Sequence, residues 1–170
     1  MKQGMWKFAL GSVLYIGLST QASANEWLIS LGYSSTPSET IDEQYYSSSV
    51  NANAWFGVPQ AINSYQGVYL SASLPEDVWN SRSHREVNSY TQVNVGMSFS
   101  PSEYVTLYAG PGLSYQRTRP GADFDSRHRY RLNANVGAIV RFGNFGVNFS
   151  YDVIPQAFGI GLLVSSSAFQ

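Results

Sequence analysis

A two-residue alternation of apolar and polar side chains, sustained over about eight separate segments, constrains this chain more than any other feature. Successive side chains of a strand point to opposite faces, so each segment reads as a strand with one apolar and one polar side. The apolar faces are Trp27, Ile29, Leu31, Tyr33; then Val50, Ala52, Ala54, Phe56, Val58, with Trp55 on the opposite side; then Val68, Leu70, Ala72, Leu74. In the fourth segment Val93, Val95, Met97 and Phe99 oppose Gln92, Asn94, Gly96 and Ser98. The fifth sets Val105, Leu107, Ala109, Pro111, Leu113 and Tyr115 against Thr106, Tyr108, Gly110, Gly112 and Ser114. The sixth sets Tyr130, Leu132, Ala134, Val136, Ala138, Val140 and Phe142 against Arg131, Asn133, Asn135, Gly137 and Arg141. The seventh sets Phe145, Val147, Phe149, Tyr151 and Val153 against Gly146, Asn148, Ser150 and Asp152; the eighth carries Phe158, Ile160, Leu162 and Val164. These lengths approach the about 9–11 residues with which a tilted strand crosses a bilayer.

Alternation alone does not say which face points inward; a soluble lipocalin-like barrel or sandwich would bury the apolar one. Composition decides. Charged residues make up 12% of the chain and aromatics 15%, against about 25% charged in an ordinary soluble domain. The polar faces are Gly, Ser, Asn, Gln and Tyr, side chains that fill a narrow hydrogen-bonded lumen. Aromatics collect near the strand ends of the apolar faces, as an interfacial girdle does. The expected fold is all-β: an eight-stranded antiparallel transmembrane barrel, an up-and-down meander with a polar, filled interior.

The connections agree. Pro59 to Ser64, Pro101 to Glu103 and Gly143-Asn144 are short; Ser34 to Ser49, Pro75 to Asn88 and Arg117 to Arg127 are long and polar; Ile154 to Ala157 is brief. Short turns on one rim and long loops on the other are the outer-membrane pattern, with the long loops outside. Pro111, which donates no ladder bond, predicts a bulge or bend at Gly110-Pro111-Gly112.

Lys2 and Lys7, an apolar run from Phe8 to Leu18, and Ala22-Ser23-Ala24 have the layout of a cleavable signal peptide over residues 1–24, with the barrel domain over 25–170. That places the protein in a bacterial outer membrane. Without the two lysines, eight arginines face eleven carboxylates, a balance of about −3 that argues against a nucleic-acid partner. There is no cysteine, so neither a disulfide framework nor an acylated lipoprotein anchor is available.

The residues Tyr104 to Tyr115, Asn135 to Phe142 and Phe145 to Asp152 resemble the second half of the Ail/OmpX/Lom family, and Leu31-Gly32-Tyr33 is similar to its first strand. The resemblance implies an eight-stranded monomeric barrel with a solid polar interior and four surface loops, in a family linked to adhesion, serum resistance and envelope integrity. It also implies handling by the outer-membrane assembly machinery, which reads a closing strand that ends in Phe. Here Phe169 is out of phase with Phe158, Ile160, Leu162 and Val164.

Two groups of residues are candidate sites. Arg117, Arg119, Arg127 and Arg129 flank the third long loop with His128; arginine grips phosphate bidentately, so lipopolysaccharide or a polyanionic host ligand is a candidate partner. The competing reading pairs these arginines with Asp123 and Asp125 in a solvated loop. Arg131, Arg141 and Asp152 fall on the lumen face and are expected to pair with one another or with Asn133, Asn135 and Asn148, rather than to line a channel. No catalytic, cofactor or metal motif is present: His84 and His128 lie in no ligand pattern. A lipid A deacylase-like enzyme, needing a serine and a carboxylate around one histidine, and a narrow channel are the alternatives to a non-enzymatic barrel acting through its outer loops.

Overall fold

A computed structural model describes residues 26–41, 44–46, 48–75, 87–119 and 127–169. Residues 1–24, expected from the sequence to be a signal peptide, and His84, Asp123 and Asp125 lie outside the described residues. The strands are β1 (Leu28–Ser35), β2 (Glu39–Ile41), β3 (Gln44–Tyr46), β4 (Val50–Val58), β5 (Gln66–Pro75), β6 (Val87–Ser102), β7 (Val105–Arg119), β8 (Arg127–Phe142), β9 (Phe145–Asp152) and β10 (Ala157–Ser165). Eight of them form a closed antiparallel barrel in which each strand pairs with its neighbour in the meander and β1 closes against β10. Closure matters because a free edge in hydrocarbon would leave amides unpaired at several kcal/mol each. β2 and β3 form a separate two-stranded sheet within the first long connection, where the sequence suggested only a loop.

The faces are inverted relative to a soluble barrel. Inside are Asn51, Gln92, Asn94, Asn133, Asn135, Asn148, Asp152 and many serines, all buried. Outside are Leu31, Val95, Leu113, Leu132, Val136, Ile160 and Leu162, all exposed. A polar band outside would fit water; this apolar one fits acyl chains, and the fold is that of a transmembrane barrel. Trp55, on the otherwise polar side of β4, lies inside, 2% exposed.

Trp55, Tyr69 and Tyr108 stack across the lumen, with ring centroids 5.8 Å, 5.3 Å and 4.7 Å apart. Room for them comes from glycine. A Cβ at Gly137 would strike the Tyr108 ring, and one at Gly96 the Tyr69 ring. Tyr69 and Tyr108 thus each lie over the glycine that faces them on the neighbouring strand, Gly96 and Gly137.

Two local expectations change, the bulge at Pro111 and the bounds of the turn between β6 and β7. The register between β6 and β7 is the same on both sides of Pro111; the ladder merely skips Val95 and Gly96, and the irregularity lies between Phe99 and Ser102. Pro111 still pairs with Ala134 on its other side, so the missing N–H costs rungs towards β6 without shifting the register. The turn between β6 and β7 is Glu103-Tyr104, as β6 runs on to Ser102. β10 ends at Ser165 and a 3-10 turn, Ser166–Phe169, follows, which accounts for Phe169 being out of phase. Gly143-Asn144 does make a two-residue hairpin, with positive φ at Gly143 alone, the pattern of a type II′ turn.

The largest difference concerns length. β5 pairs with β6 out to Gln92 and β9 with β8 out to Asn135, yet β6 pairs with β7 out to Val87–Arg119 and β7 with β8 out to Thr118–Arg127. Three strands therefore project beyond the barrel at the long-loop rim. Val153 N still donates to Ala134 O at 2.9 Å, and from Arg127 to Asn133 the β8 edge runs roughly 20 Å.

Candidate functional site

Arg117, Arg119, Arg127 and Arg129 are strand residues of this projecting sheet, not loop residues. Alternation divides them. Arg117 stands opposite His128 in the β7–β8 register, on the outer face, while Arg127 and Arg129 stand opposite Thr118 and Gln116, on the face continuous with the lumen. Arg119 closes β7 opposite Val87. Arg131, opposite Ser114, continues the inner row downward, half-buried. Arg127, Arg129 and Arg131 thus form a ladder at roughly 6.8 Å intervals.

The outer face of the same sheet is ordered by polarity. Leu113 and Leu132 come first, then Tyr115 and Tyr130, whose rings lie 4.9 Å apart, then Arg117 and His128. Tyr130 and Leu132 are 76% and 78% exposed. The His128 ring stacks on Tyr115 at 5.6 Å, and its Nδ1 meets the Tyr115 hydroxyl at 2.5 Å. The partner at that nitrogen is a phenol, where a hydrolytic triad would place a carboxylate. Among the described residues no group of three metal-ligating side chains occurs.

Inside the barrel the expected polar residues separate into three levels. Towards the long-loop rim, Asp152 Oδ1 accepts from Asn94 Nδ2 at 3.0 Å, Asn133 Nδ2 at 2.6 Å and Asn135 Nδ2 at 3.1 Å. Gln92, in the amide orientation that satisfies both its polar atoms, donates to Oδ2 at 2.7 Å. A carboxylate, which accepts only, suits a ring of donors. Arg131 is not among those donors. Lower down, Tyr108 Oη donates to Asn148 Oδ1 at 2.7 Å, and Tyr69 Oη to Asn135 Oδ1 at 3.2 Å.

Arg141 joins neither group, contrary to expectation. It lies at the short-turn end, where Nη1 donates to Glu26 Oε2 at 2.9 Å and Nη2 pairs with Oε1. Sequence reading passed over Glu26 because it precedes the first alternating residues. Its one local signal was a lone carboxylate beside a strand start.

No family model matches the chain, and comparison with curated proteins gives no match. Solved structures do match. The Yersinia pestis attachment invasion locus protein Ail, in complex with the heparin analogue sucrose octasulfate, is 22% identical with a TM-score of 0.57, covering 82% of this chain and 95% of that one. Ail without that ligand gives 21% and 0.58 over 82% and 95%. The Yersinia pestis outer membrane protein Ail in a phospholipid bilayer nanodisc gives 22% and 0.55 over 82% and 98%. Over four fifths of its length, this chain has the fold of the Ail outer-membrane barrel.

Proposed function

We infer that the chain is a non-enzymatic barrel of a bacterial outer membrane, exported by its N-terminal leader and inserted as a monomer by the outer-membrane assembly machinery. It acts through the surface that projects outside. The carrying observation is the order of side chains up the outer face of β7 and β8: aliphatic, then aromatic, then Arg117 with His128. That order matches hydrocarbon, interface and phosphate headgroup, so Arg117 meets the phosphates of lipopolysaccharide. The inner ladder of Arg127, Arg129 and Arg131 faces away from lipid. It suits a soluble or host-surface polyanion, which gives the protein an adhesive role; the Ail complex with a heparin analogue supports this reading by analogy of fold.

The test replaces Arg117, Arg119, Arg127 and Arg129 with Gln and measures affinity for lipopolysaccharide vesicles and for heparin across salt. The expected result is weaker binding to both with a flatter salt dependence, since exposed charge pairs are screened. Unaltered affinity and salt dependence would sink the proposal. A channel is disfavoured by the Trp55, Tyr69 and Tyr108 stack across the lumen.

A further inference from the structure

Seven of the eight strand contacts in the barrel join strands that follow one another in the chain around the meander; the eighth, β1 against β10, joins residues 139 positions apart, such as Trp27 and Ser166. This seam has no covalent turn to hold it, yet at its short-turn end it carries a dense set of side-chain bonds. Glu26 Oε1 accepts from Ser165 Oγ at 2.5 Å and Ser167 Oγ at 3.4 Å, while Arg141 reaches both carboxylate oxygens from β8. Trp27 N donates to Ser166 Oγ at 3.1 Å, and Ser166 N to Trp27 O at 2.9 Å. Ser167 Oγ, 2.9 Å from Asn144 Oδ1, shares its one proton between that oxygen and Glu26 and ties the β8–β9 turn to the same point. Phe169 stacks on Trp27 at 6.2 Å.

All of these bonds but the one between Ser167 and Asn144 converge on residues 26 and 27, from β8, from the last residue of β10 and from the segment after it. We propose that Glu26 is the bolt of an acid-sensitive latch: its carboxylate, drawn into the lumen mouth by Arg141, Ser165 and Ser167, commits the β1–β10 seam to the closed state, and protonating it loosens that end of the seam. Arg141 is the charged group facing it among the described residues, and the remaining neighbours, Ser165, Ser167 and Asn144, do not titrate. Burial by itself raises the Glu26 carboxyl, but hydrogen bonds from Arg141, Ser165 and Ser167 together with the guanidinium charge outweigh it and hold the group below its ordinary value of 4.5. A carboxyl depressed on folding adds stability above its unfolded value and gives it up as pH falls through the lower folded one.

The experiment uses the protein folded into phosphatidylcholine vesicles and reads the temperature at which compact gel mobility converts to unfolded mobility, from pH 7.5 down to 3.5. At pH 7.5, Glu26→Gln and Arg141→Gln are each expected to lower that midpoint by about 5–10 °C. The double variant falls no further than either single one, as residues of one unit should. Below about pH 4.5 the gap between wild type and Glu26→Gln narrows steadily as pH falls. A Glu26→Gln midpoint equal to wild type, additive single effects, or a gap of constant size down to about pH 3.5 would overturn the latch. Should Glu26→Gln not fold, Ser165→Ala serves: it removes one donor that holds the carboxyl down, so acid loosening begins at higher pH, and an unchanged profile overturns the proposal.

Discussion

At the scale of single residues, the lumen is argued by donor and acceptor. Four amide side chains aim N–H groups at Asp152. Asp152→Asn would turn one acceptor into a donor facing donors, and an unmade buried bond costs about 1–3 kcal/mol. Denaturant unfolding from vesicles is expected to show that loss, while a value within error of wild type contradicts the ring. Sequence revealed this ring only in part. Asn133, Asn135 and Asp152 share a face by alternation, which is local. That Asp152 gathers Asn94 from β6, 58 residues away, depends on the curvature of a closed sheet. The Arg141–Glu26 pair spans 115 residues and was illegible for the same reason. Trp55 was visible as an exception to its strand's pattern, and its position inside explains the exception.

Among the elements, strand faces were legible and strand ends were not. Period two fixes which side of β6, β7 and β8 meets lipid, but it fades where the apolar face turns to Arg117 and His128, so the extra length of these strands read as loop. The division of the arginines between two faces follows once those positions are seen as strand. Depth along β8 makes a graded prediction. Val136→Arg, placed in the apolar band, is expected to destabilise by about 2–4 kcal/mol, whereas Tyr130→Arg at the rim costs about 0–1 kcal/mol. Equal costs from denaturant titration would contradict the depth assigned to these residues. Gly137→Val drives a side chain towards the Tyr108 ring and is expected to cost at least about 1–3 kcal/mol as overpacking, read as a lowered unfolding midpoint.

In the whole molecule, a closed sheet, an apolar exterior and a stacked aromatic lumen all answer to one solvent, the bilayer. The rings across the lumen predict that purified protein in a planar bilayer gives no ion steps, and that Trp55→Ala with Tyr108→Ala opens a leak if the barrel survives; steady conductance from the wild type would contradict the plugged interior. Composition makes the inversion legible in the sequence, because 12% charge over amphipathic strands is too little for a water-facing barrel exterior. The most direct test exploits the absence of cysteine: spin labels on single cysteines at each position from Leu132 to Phe142, in vesicles, with collision rates measured against oxygen and a water-soluble nickel chelate. The account predicts strong oxygen collision at Leu132, Ala134, Val136, Ala138 and Val140, and little at Asn133, Asn135, Gly137 and Ile139. Nickel collision at the first set, or no alternation between the two, would contradict it.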